Sequence, residues 1–181
     1  MTEEKFWKVT GTKKGFAGKW IDINLDEIEL PDKSKIEFEA IGFHRNGAGV
    51  AAENDKGEII LVKNYRYINN YLSWEVPAGT IPPGVKPDEC IIEELKEEAG
   101  CEVGHSDLKY LGNYYPSVGS SNQIFYCFHA RNVRKITDEI DANEIMETSW
   151  FNRNEIEKMI RNCEIKDGFS LYLLLRWLYL L

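Results

Sequence analysis

Three glutamates in the stretch ECIIEELKEEAGC, residues 89–101, have the type and spacing that a divalent-cation site needs. In a helix, Glu94 and Glu98 lie four residues apart and Glu97 lies three from Glu94, so all three carboxylates reach one side. Like charges at this spacing destabilise an isolated helix by roughly 0.2 to 0.5 kcal/mol per pair. Carboxylate oxygens are ligands that Mg²⁺ and Mn²⁺ prefer. The pattern therefore favours a cation site, and a solvated acidic face is the alternative.

The elements that would position these carboxylates are visible on both sides of the stretch. Pro87, followed by two acids, suits the first turn of a helix, because proline lacks an N–H and acids face the positive end of the dipole. Apolar residues recur every four positions as a stripe to be buried: Ile91, Leu95 and Ala99. Gly100 supplies a left-handed residue that ends the helix. The Pro/Gly-rich loop in YLSWEVPAGTIPPG, residues 71–84, can bring backbone carbonyls near the same carboxylates.

The remaining pattern predicts an α+β fold. The β-rich pieces FWKVT, KWIDINL and KIEFEAIGF, separated by GTKKGFAG and LPDKSK, predict a small antiparallel unit over residues 1–44. Residues 45–181 begin with two apolar runs joined by Asn-Asp-Lys-Gly, which predict a hairpin. Further strands follow in LKYLGNYY, QIFYCFHAR and METSWF, with helices in NRNEIEKMIRNC and from Gly168 onward. This order favours a mixed β-sheet covered by helices.

Composition limits the class of protein. The chain has 181 residues, about the length of one domain, and a formal net charge of −8, which argues against a general binder of nucleic acid or of anionic membranes. The most apolar segment, FSLYLLLRWLYLL, has thirteen residues including Arg176, whereas a membrane span needs roughly 20. We therefore expect a buried or interface-forming terminal helix. Four scattered cysteines without a CxxC pair, and a charged start without an apolar leader, predict a cytoplasmic protein.

The segment GTIPPGVKPDECIIEELKEEAGC resembles the Nudix box, a loop-helix motif of Gly, then Glu six residues on, then Arg-Glu-aliphatic-x-Glu-Glu-x-Gly-aliphatic. The matching positions are Gly79, Glu94, Leu95, Glu97, Glu98 and Gly100, with Cys101 as a loose match for the last aliphatic residue. Val85 stands where the family has its first glutamate, and Glu93 stands where it has arginine. That arginine normally ties neighbouring carboxylates in place, so its exchange for an acid either retunes metal binding or weakens catalysis.

The resemblance extends outside this degenerate box to the ADP-ribose pyrophosphatase-like, or ADP-sugar, branch of the family. YRYINNYLSWEVPAG is similar to a segment in which an arginine contacts substrate phosphates and a Glu-hydrophobic-Pro-Ala-Gly run supplies a carbonyl to metal; these positions fall on Arg66, Glu75 and Ala78. YYPSVGSSNQIFYCF resembles the branch's YPSPGxSxE run, with Pro116 conforming and Gln123 replacing its acid. ANEIMETSWFNRNEI resembles a late loop whose catalytic glutamate falls on Glu144, with Glu147 as the runner-up.

The resemblance implies that residues 45–181 form the catalytic domain, a Nudix-type α/β/α sandwich with a mixed β-sheet. Residues 1–44 would form the N-terminal β unit, which in the family often exchanges across a homodimer. It implies hydrolysis of the pyrophosphate bond of a nucleoside diphosphate sugar with Mg²⁺ or Mn²⁺, and ADP-ribose would give AMP and ribose 5-phosphate. The implied residues are, for the metal, Ala78, Glu94 and Glu98; for catalysis, Glu97 and Glu144; and for the substrate, Arg66, Glu75 and Pro116.

Two other functions stay open. The departures at Val85, Glu93 and Gln123 are compatible with a catalytically weakened or inactive relative that binds a nucleotide or a protein partner. An unrelated interaction protein that uses its apolar terminal helix would require the similarity along the chain to be accidental.

Overall fold

The computed structural model describes residues 6–181 and divides the chain into two compact units. One comprises the chain up to Arg45 together with Ser117–Gln123, and the other comprises Asn46–Pro116 and Ile124–Leu181. A short internal segment thus belongs to the same unit as the N-terminal strands. Residues 1–5 of the predicted N-terminal unit lie outside the described residues, and the catalytic role of residues 45–181 stays a prediction.

The first unit is an antiparallel sheet with the strand order β1-β2-β3, formed by Lys8–Ala17, Ile21–Glu29 and Lys35–Phe43. The predicted strands are present, but GTKKGFAG forms most of β1 and is not the connection that we expected. Two register shifts against β2 leave Thr10 and Gly15 unpaired, as a β-bulge does. The Asn122 Oδ1 atom accepts a hydrogen bond from the Phe43 N–H at 2.7 Å, which joins the internal segment to the end of β3.

The second unit places most of its strands in two sheets. Its strands are β4 (Gly47–Ala52), β5 (Ile59–Arg66), β6 (Tyr71–Glu75), β7 (Ala78–Thr80), β8 (Cys101–Glu102), β9 (Leu108–Tyr114), β10 (Phe125–Ala130), β11 (Arg134–Lys135) and β12 (Ile145–Phe151). One sheet has the order β7-β4-β10-β9, with β4 and β10 parallel and the other neighbours antiparallel. The other is antiparallel with the order β12-β5-β6, and β8 pairs with β11. The predicted mixed sheet is therefore confirmed.

The two apolar runs around ENDKG form β4 and β5, but the predicted hairpin is wrong. The turn exists, since the Asn54 Oδ1 atom accepts from the N–H groups of Lys56 and Glu58, both at 2.9 Å. Within the part of the chain that the structure describes, a single isolated bridge between Glu53 and Ile59 joins the runs, which then enter different sheets. Strand β4 is buried along its whole length, and such a strand needs cover on both faces that a two-stranded ribbon does not provide.

Helices cover both faces of the strands. Helix α1 (Pro87–Ala99) packs into a hydrophobic cluster that contains Ile60 of β5. Helices α2 (Arg153–Arg161) and α3 (Gly168–Leu180) pack into a second cluster that contains Leu61 of the same strand. Successive side chains of a strand point to opposite faces of its sheet, so the two clusters lie on opposite sides of β5. This arrangement is the predicted α/β/α sandwich.

Helix α1 begins at Pro87 and is followed by Gly100, as the sequence predicted. Gly100 has a φ of 61°, and a Cβ atom there would lie 2.2 Å from the Thr137 carbonyl oxygen, so a larger residue does not fit. The predicted stripe is buried and includes one further residue: Cys90, Ile91, Leu95 and Ala99. Glu94 and Glu98 lie beside this stripe and are half-buried.

The apolar terminal helix α3 is largely buried within the second unit, which confirms one of its two expected roles. Its buried residues are Phe169, Ser170, Leu173, Leu174, Trp177 and Leu178. Among the described residues, none of the helices combines the length and the apolar character that crossing a membrane would require.

Candidate active site

Two glutamates of α1 lie against β7, the short strand that precedes the helix in the chain. The Glu98 Oε2 atom accepts a hydrogen bond from the Ala78 N–H at 2.8 Å. The Glu94 carboxylate lies so close to Gly79 that a Cβ atom on this glycine would be 1.8 Å from Glu94 Oε1. Glycine at position 79 therefore makes room for a carboxylate, and the four-residue spacing directs both glutamates toward β7.

These two carboxylates are partly removed from water and surrounded by negative charge. Burial raises the pKa of Glu98 to about 8; the Ala78 N–H opposes this rise, while the charges of Glu94 and Glu144 add to it. Burial also raises the pKa of Glu94, with further contributions from Glu97 and Glu144. A cation between the carboxylates would stabilise their charged forms. The donor set therefore fits an ion that prefers oxygen ligands, such as Mg²⁺ or Mn²⁺.

Arg66, at the end of β5, is held by a buried carboxylate. Its Nε donates a hydrogen bond to Glu75 Oε1 at 3.0 Å, and its Nη2 donates to Glu75 Oε2. Glu75 is only 3% exposed and also accepts from Asn64 Nδ2 at 3.3 Å. The hydrogen bonds to Glu75 raise the pKa of Arg66, and the charges of Asp167 and Glu98 add to this effect. The guanidinium is thus oriented by Glu75 and lies within electrostatic reach of the α1 carboxylates.

The two predicted catalytic glutamates are both exposed. Glu97 lies on α1, whereas Glu144 immediately precedes β12. The charge of Glu144 contributes to the raised pKa values of both half-buried α1 glutamates, so the fold brings this loop near them. The runner-up, Glu147, instead forms an ion pair with Lys63 at 3.0 Å. Glu144 is therefore the better placed of the two candidates.

The remaining residues that the sequence singled out are exposed or half-buried. Pro116 is exposed just beyond the end of β9, and Gln123 belongs to the first unit. Val85 and Glu93, the two departures from the box, are both exposed. Neither departure therefore disturbs the core on which α1 packs.

Sequence reasoning missed the residues that support the loop before α1. The Oγ atom of Ser170, a residue 1% exposed in the first turn of α3, accepts a hydrogen bond from the Val76 N–H at 3.0 Å. The same hydroxyl donates to Asp167 Oδ2 at 2.7 Å, and Asp167 caps the helix by accepting from the Ser170 N–H at 2.7 Å. The Asp-x-x-Ser spacing is a signal for the start of a helix. No signal in the sequence indicates that Ser170 reaches Val76.

The carboxylates do not by themselves form a complete metal site. Within residues 6–181, no group of three or more His, Cys, Asp and Glu side chains is arranged to hold a metal ion. Mg²⁺ usually keeps several waters and takes one or two carboxylates together with substrate phosphates. The two half-buried glutamates of α1 fit this smaller share of ligands.

In this α/β/α sandwich, a helix that follows a glycine-containing segment presents two half-buried carboxylates toward that segment. This is the arrangement that the Nudix resemblance implied. A family model for the NUDIX domain matches residues 43–170. The chain therefore belongs to the Nudix family, and it is a hydrolase of that family.

Relatives of known activity cover most of the chain. The chain is 28% identical over 167 residues to the ADP-ribose pyrophosphatase of Bacillus subtilis (strain 168), which covers 91% of this chain and 89% of that protein. It is 30% identical over 139 residues to the GDP-mannose pyrophosphatase of Yersinia enterocolitica, which covers 71% of each. A crystal structure of an ADP compounds hydrolase matches with a TM-score of 0.81 at 15% identity, covering 93% of this chain and 90% of that one. The structural match supports the fold.

Proposed function

We propose that the protein hydrolyses the pyrophosphate bond of a nucleoside diphosphate sugar, with ADP-ribose giving AMP and ribose 5-phosphate. The observation that carries the proposal is that the half-buried carboxylates of Glu94 and Glu98 both lie against Ala78 and Gly79. Burial raises the pKa of Glu98 to about 8, which agrees with this arrangement. Two neighbouring carboxylates that are half-buried among other negative charges are stabilised by a bound cation. Pyrophosphate hydrolysis requires such a cation. The Bacillus subtilis and Yersinia enterocolitica relatives act on ADP-ribose and GDP-mannose, which supports this class of substrate.

Glu94, Glu98 and the Ala78 carbonyl would hold Mg²⁺ or Mn²⁺. When bound, the ion would neutralise charge on the phosphates and favour ionisation of a water molecule. The carboxylates would become fully ionised in its presence, and the hydrogen bond from the Ala78 N–H joins Glu98 of the helix to β7.

The remaining residues would bind the substrate and move the proton. Glu144 would accept the proton of the attacking water, whose oxygen forms a bond to one phosphorus while the bridging P–O bond breaks. Glu97 would complete the metal ligands or orient that water. Arg66, oriented by Glu75, would contact the diphosphate, and Pro116 would line the substrate site.

We also propose that the protein is a cytoplasmic homodimer in which residues 1–44 exchange between subunits. Light scattering on the full chain, followed by the same measurement without residues 1–44, tests the dimer. A monomeric full chain would contradict the exchange.

A second candidate function is that of a weakened or non-catalytic relative that binds a nucleotide or a protein partner. The specific observation in its favour is that Glu93 replaces the arginine that the family uses to tie its carboxylates.

A substrate panel separates the two functions. Purified protein is incubated with ADP-ribose, other nucleotide sugars and dinucleotides, with Mg²⁺, Mn²⁺ or EDTA, and products are resolved by chromatography. We expect AMP and ribose 5-phosphate from ADP-ribose, and loss of this activity in Glu98→Gln but not in Glu89→Gln, an exposed glutamate of the same helix. Saturable nucleotide binding without turnover would support the second function. Neither turnover nor binding would contradict both.

A further inference from the structure

A second cation, Lys166, lies against Tyr71 of β6, the residue directly opposite Arg66. Arg66 and Tyr71 are directly opposite each other in this antiparallel pair. Directly opposite residues carry their side chains on the same face of a sheet. The Lys166 Nζ atom lies 5.1 Å from the centroid of the Tyr71 ring. The Lys166 ammonium group therefore lies beside a ring that shares its sheet face with the Arg66 side chain.

The two cations differ in their partners. Arg66 donates two hydrogen bonds to Glu75. Lys166 is exposed, and in the described part of the chain none of the ion pairs involves it. The neighbouring Asp167 carboxylate accepts from the N–H and the hydroxyl of Ser170. The ammonium group of Lys166 thus rests on an aromatic face and is available to an anion from solution.

We propose that Lys166 is a substrate-binding residue that contacts the diphosphate beside Arg66, and that Tyr71 is its positioning residue. This inference rests on the proposed function. The protein carries a net charge of −8 and the site contains several carboxylates, so a polyanionic substrate meets repulsion that free cations offset. An ammonium group acts on phosphate as a point charge and does not require a fixed fork geometry, so Lys166 can leave the Tyr71 ring to follow the substrate.

Lys166→Gln tests the contact by steady-state kinetics with ADP-ribose. We expect KM to rise about fivefold to tenfold while kcat stays within about twofold, because the residue binds the diphosphate equally in the ground and transition states. Lys56→Gln is the matched control, since it removes an exposed lysine in the turn before β5, at the opposite end of that strand from Arg66. The control should leave both constants unchanged. Equal kinetics for the two variants would overturn the proposal.

Binding measurements keep this test independent of turnover. The dissociation constants of ADP and of adenosine are measured by calorimetry for the wild type and both variants. We expect Lys166→Gln to weaken ADP about fivefold to tenfold without changing adenosine, even if ADP-ribose proves not to be hydrolysed. If the proposed function is wrong, ADP-ribose will not be hydrolysed, but Lys166→Gln will still bind ADP more weakly than the wild type. Unchanged ADP binding in Lys166→Gln would overturn the Lys166 assignment whatever the activity.

Variants of Tyr71 test its positioning role. Tyr71→Phe keeps the aromatic face and should bind ADP like the wild type, whereas Tyr71→Leu should weaken ADP about twofold to threefold. In a protein that already carries Lys166→Gln, Tyr71→Leu should not weaken ADP binding further, because Tyr71 acts on the substrate only by positioning Lys166. Additive effects of the two substitutions would show that Tyr71 does not position Lys166.

Discussion

Replacing Glu98 by glutamine tests whether this carboxylate is destabilised until a cation binds. Burial raises the pKa of Glu98 from 4.5 to about 8 in the folded protein. Between these pH values the folded state binds more protons than the unfolded state, so the metal-free wild type must lose stability as the pH rises. Glutamine keeps an oxygen that can accept the Ala78 N–H and carries no charge. The free energy of unfolding of Glu98→Gln should therefore not fall in this way as the pH rises.

The magnitude follows from proton linkage. Between pH 5.5 and pH 8, a carboxyl with a pKa of 4.5 unfolded and about 8 folded removes about 3 kcal/mol from the free energy of unfolding. The difference between Glu98→Gln and the wild type should grow by this amount over the same range. For a chain of this size, that corresponds to a gap in Tm that widens by about 6 to 12 °C.

Urea unfolding followed by tryptophan fluorescence measures the effect, with EDTA present throughout. A second series with Mg²⁺ should favour the wild type, because a bound cation keeps Glu98 ionised and stabilises the folded state by mass action. The variant, which has lost one ligand, should gain less from the same Mg²⁺ concentration.

Glu93→Gln is the control for the loss of one negative charge, because Glu93 is exposed on the same helix. This variant should keep the pH dependence of the wild type. If the wild type and Glu98→Gln lose stability in parallel from pH 5.5 to pH 8 in EDTA, the reasoning about Glu98 is wrong. An equal gain from Mg²⁺ in both proteins would remove Glu98 from the proposed metal site.

Three further changes have distinct expected outcomes. Gly79→Ala would displace the flexible end of Glu94, 1.8 Å from the new carbon, so we expect less than about 1 kcal/mol of destabilisation in urea but loss of the Mg²⁺-dependent rise in Tm. Ser170→Ala leaves a buried N–H unpaired and should lower the free energy of unfolding by about 1 to 3 kcal/mol in the same assay. Burial lowers the pKa of His129, and Glu53 opposes this shift. The wild type should therefore lose stability as the pH falls below 6.5. The urea midpoint of His129→Gln should fall less than that of the wild type between about pH 7 and about pH 5.

The sequence alone was sufficient for features that depend on neighbours along the chain. The start of α1 at Pro87, its end before Gly100 and its buried stripe follow from capping, periodicity and the left-handed preference of glycine. The same spacing predicted that Glu94 and Glu98 share one side of the helix, and both lie against β7. The family resemblance, which covers nearly the whole chain, correctly implied the α/β/α sandwich.

Features that depend on residues far apart along the chain were not predictable from local pattern. The turn around Asn54 suggested a hairpin, yet β4 pairs in parallel with β10, which lies far along the chain. The family resemblance implied Arg66 and Glu75 as two separate substrate-binding residues. The hydrogen bond from Arg66 to Glu75 became visible only in the folded protein. The position of Lys166 over Tyr71 likewise depends on how α3 begins relative to β6.

The hydrogen bond from the Val76 N–H to Ser170 joins residues that are 94 positions apart. A chain leaves the ribosome N-terminal end first, so the glutamate-bearing helix can form while the loop before it still lacks its partner from α3. Contacts of such long sequence separation form slowly, since a large loop must close first. The nascent protein should therefore acquire a helix with clustered acids well before it acquires a fixed loop, and hydrolysis should begin only after the terminal helix has docked.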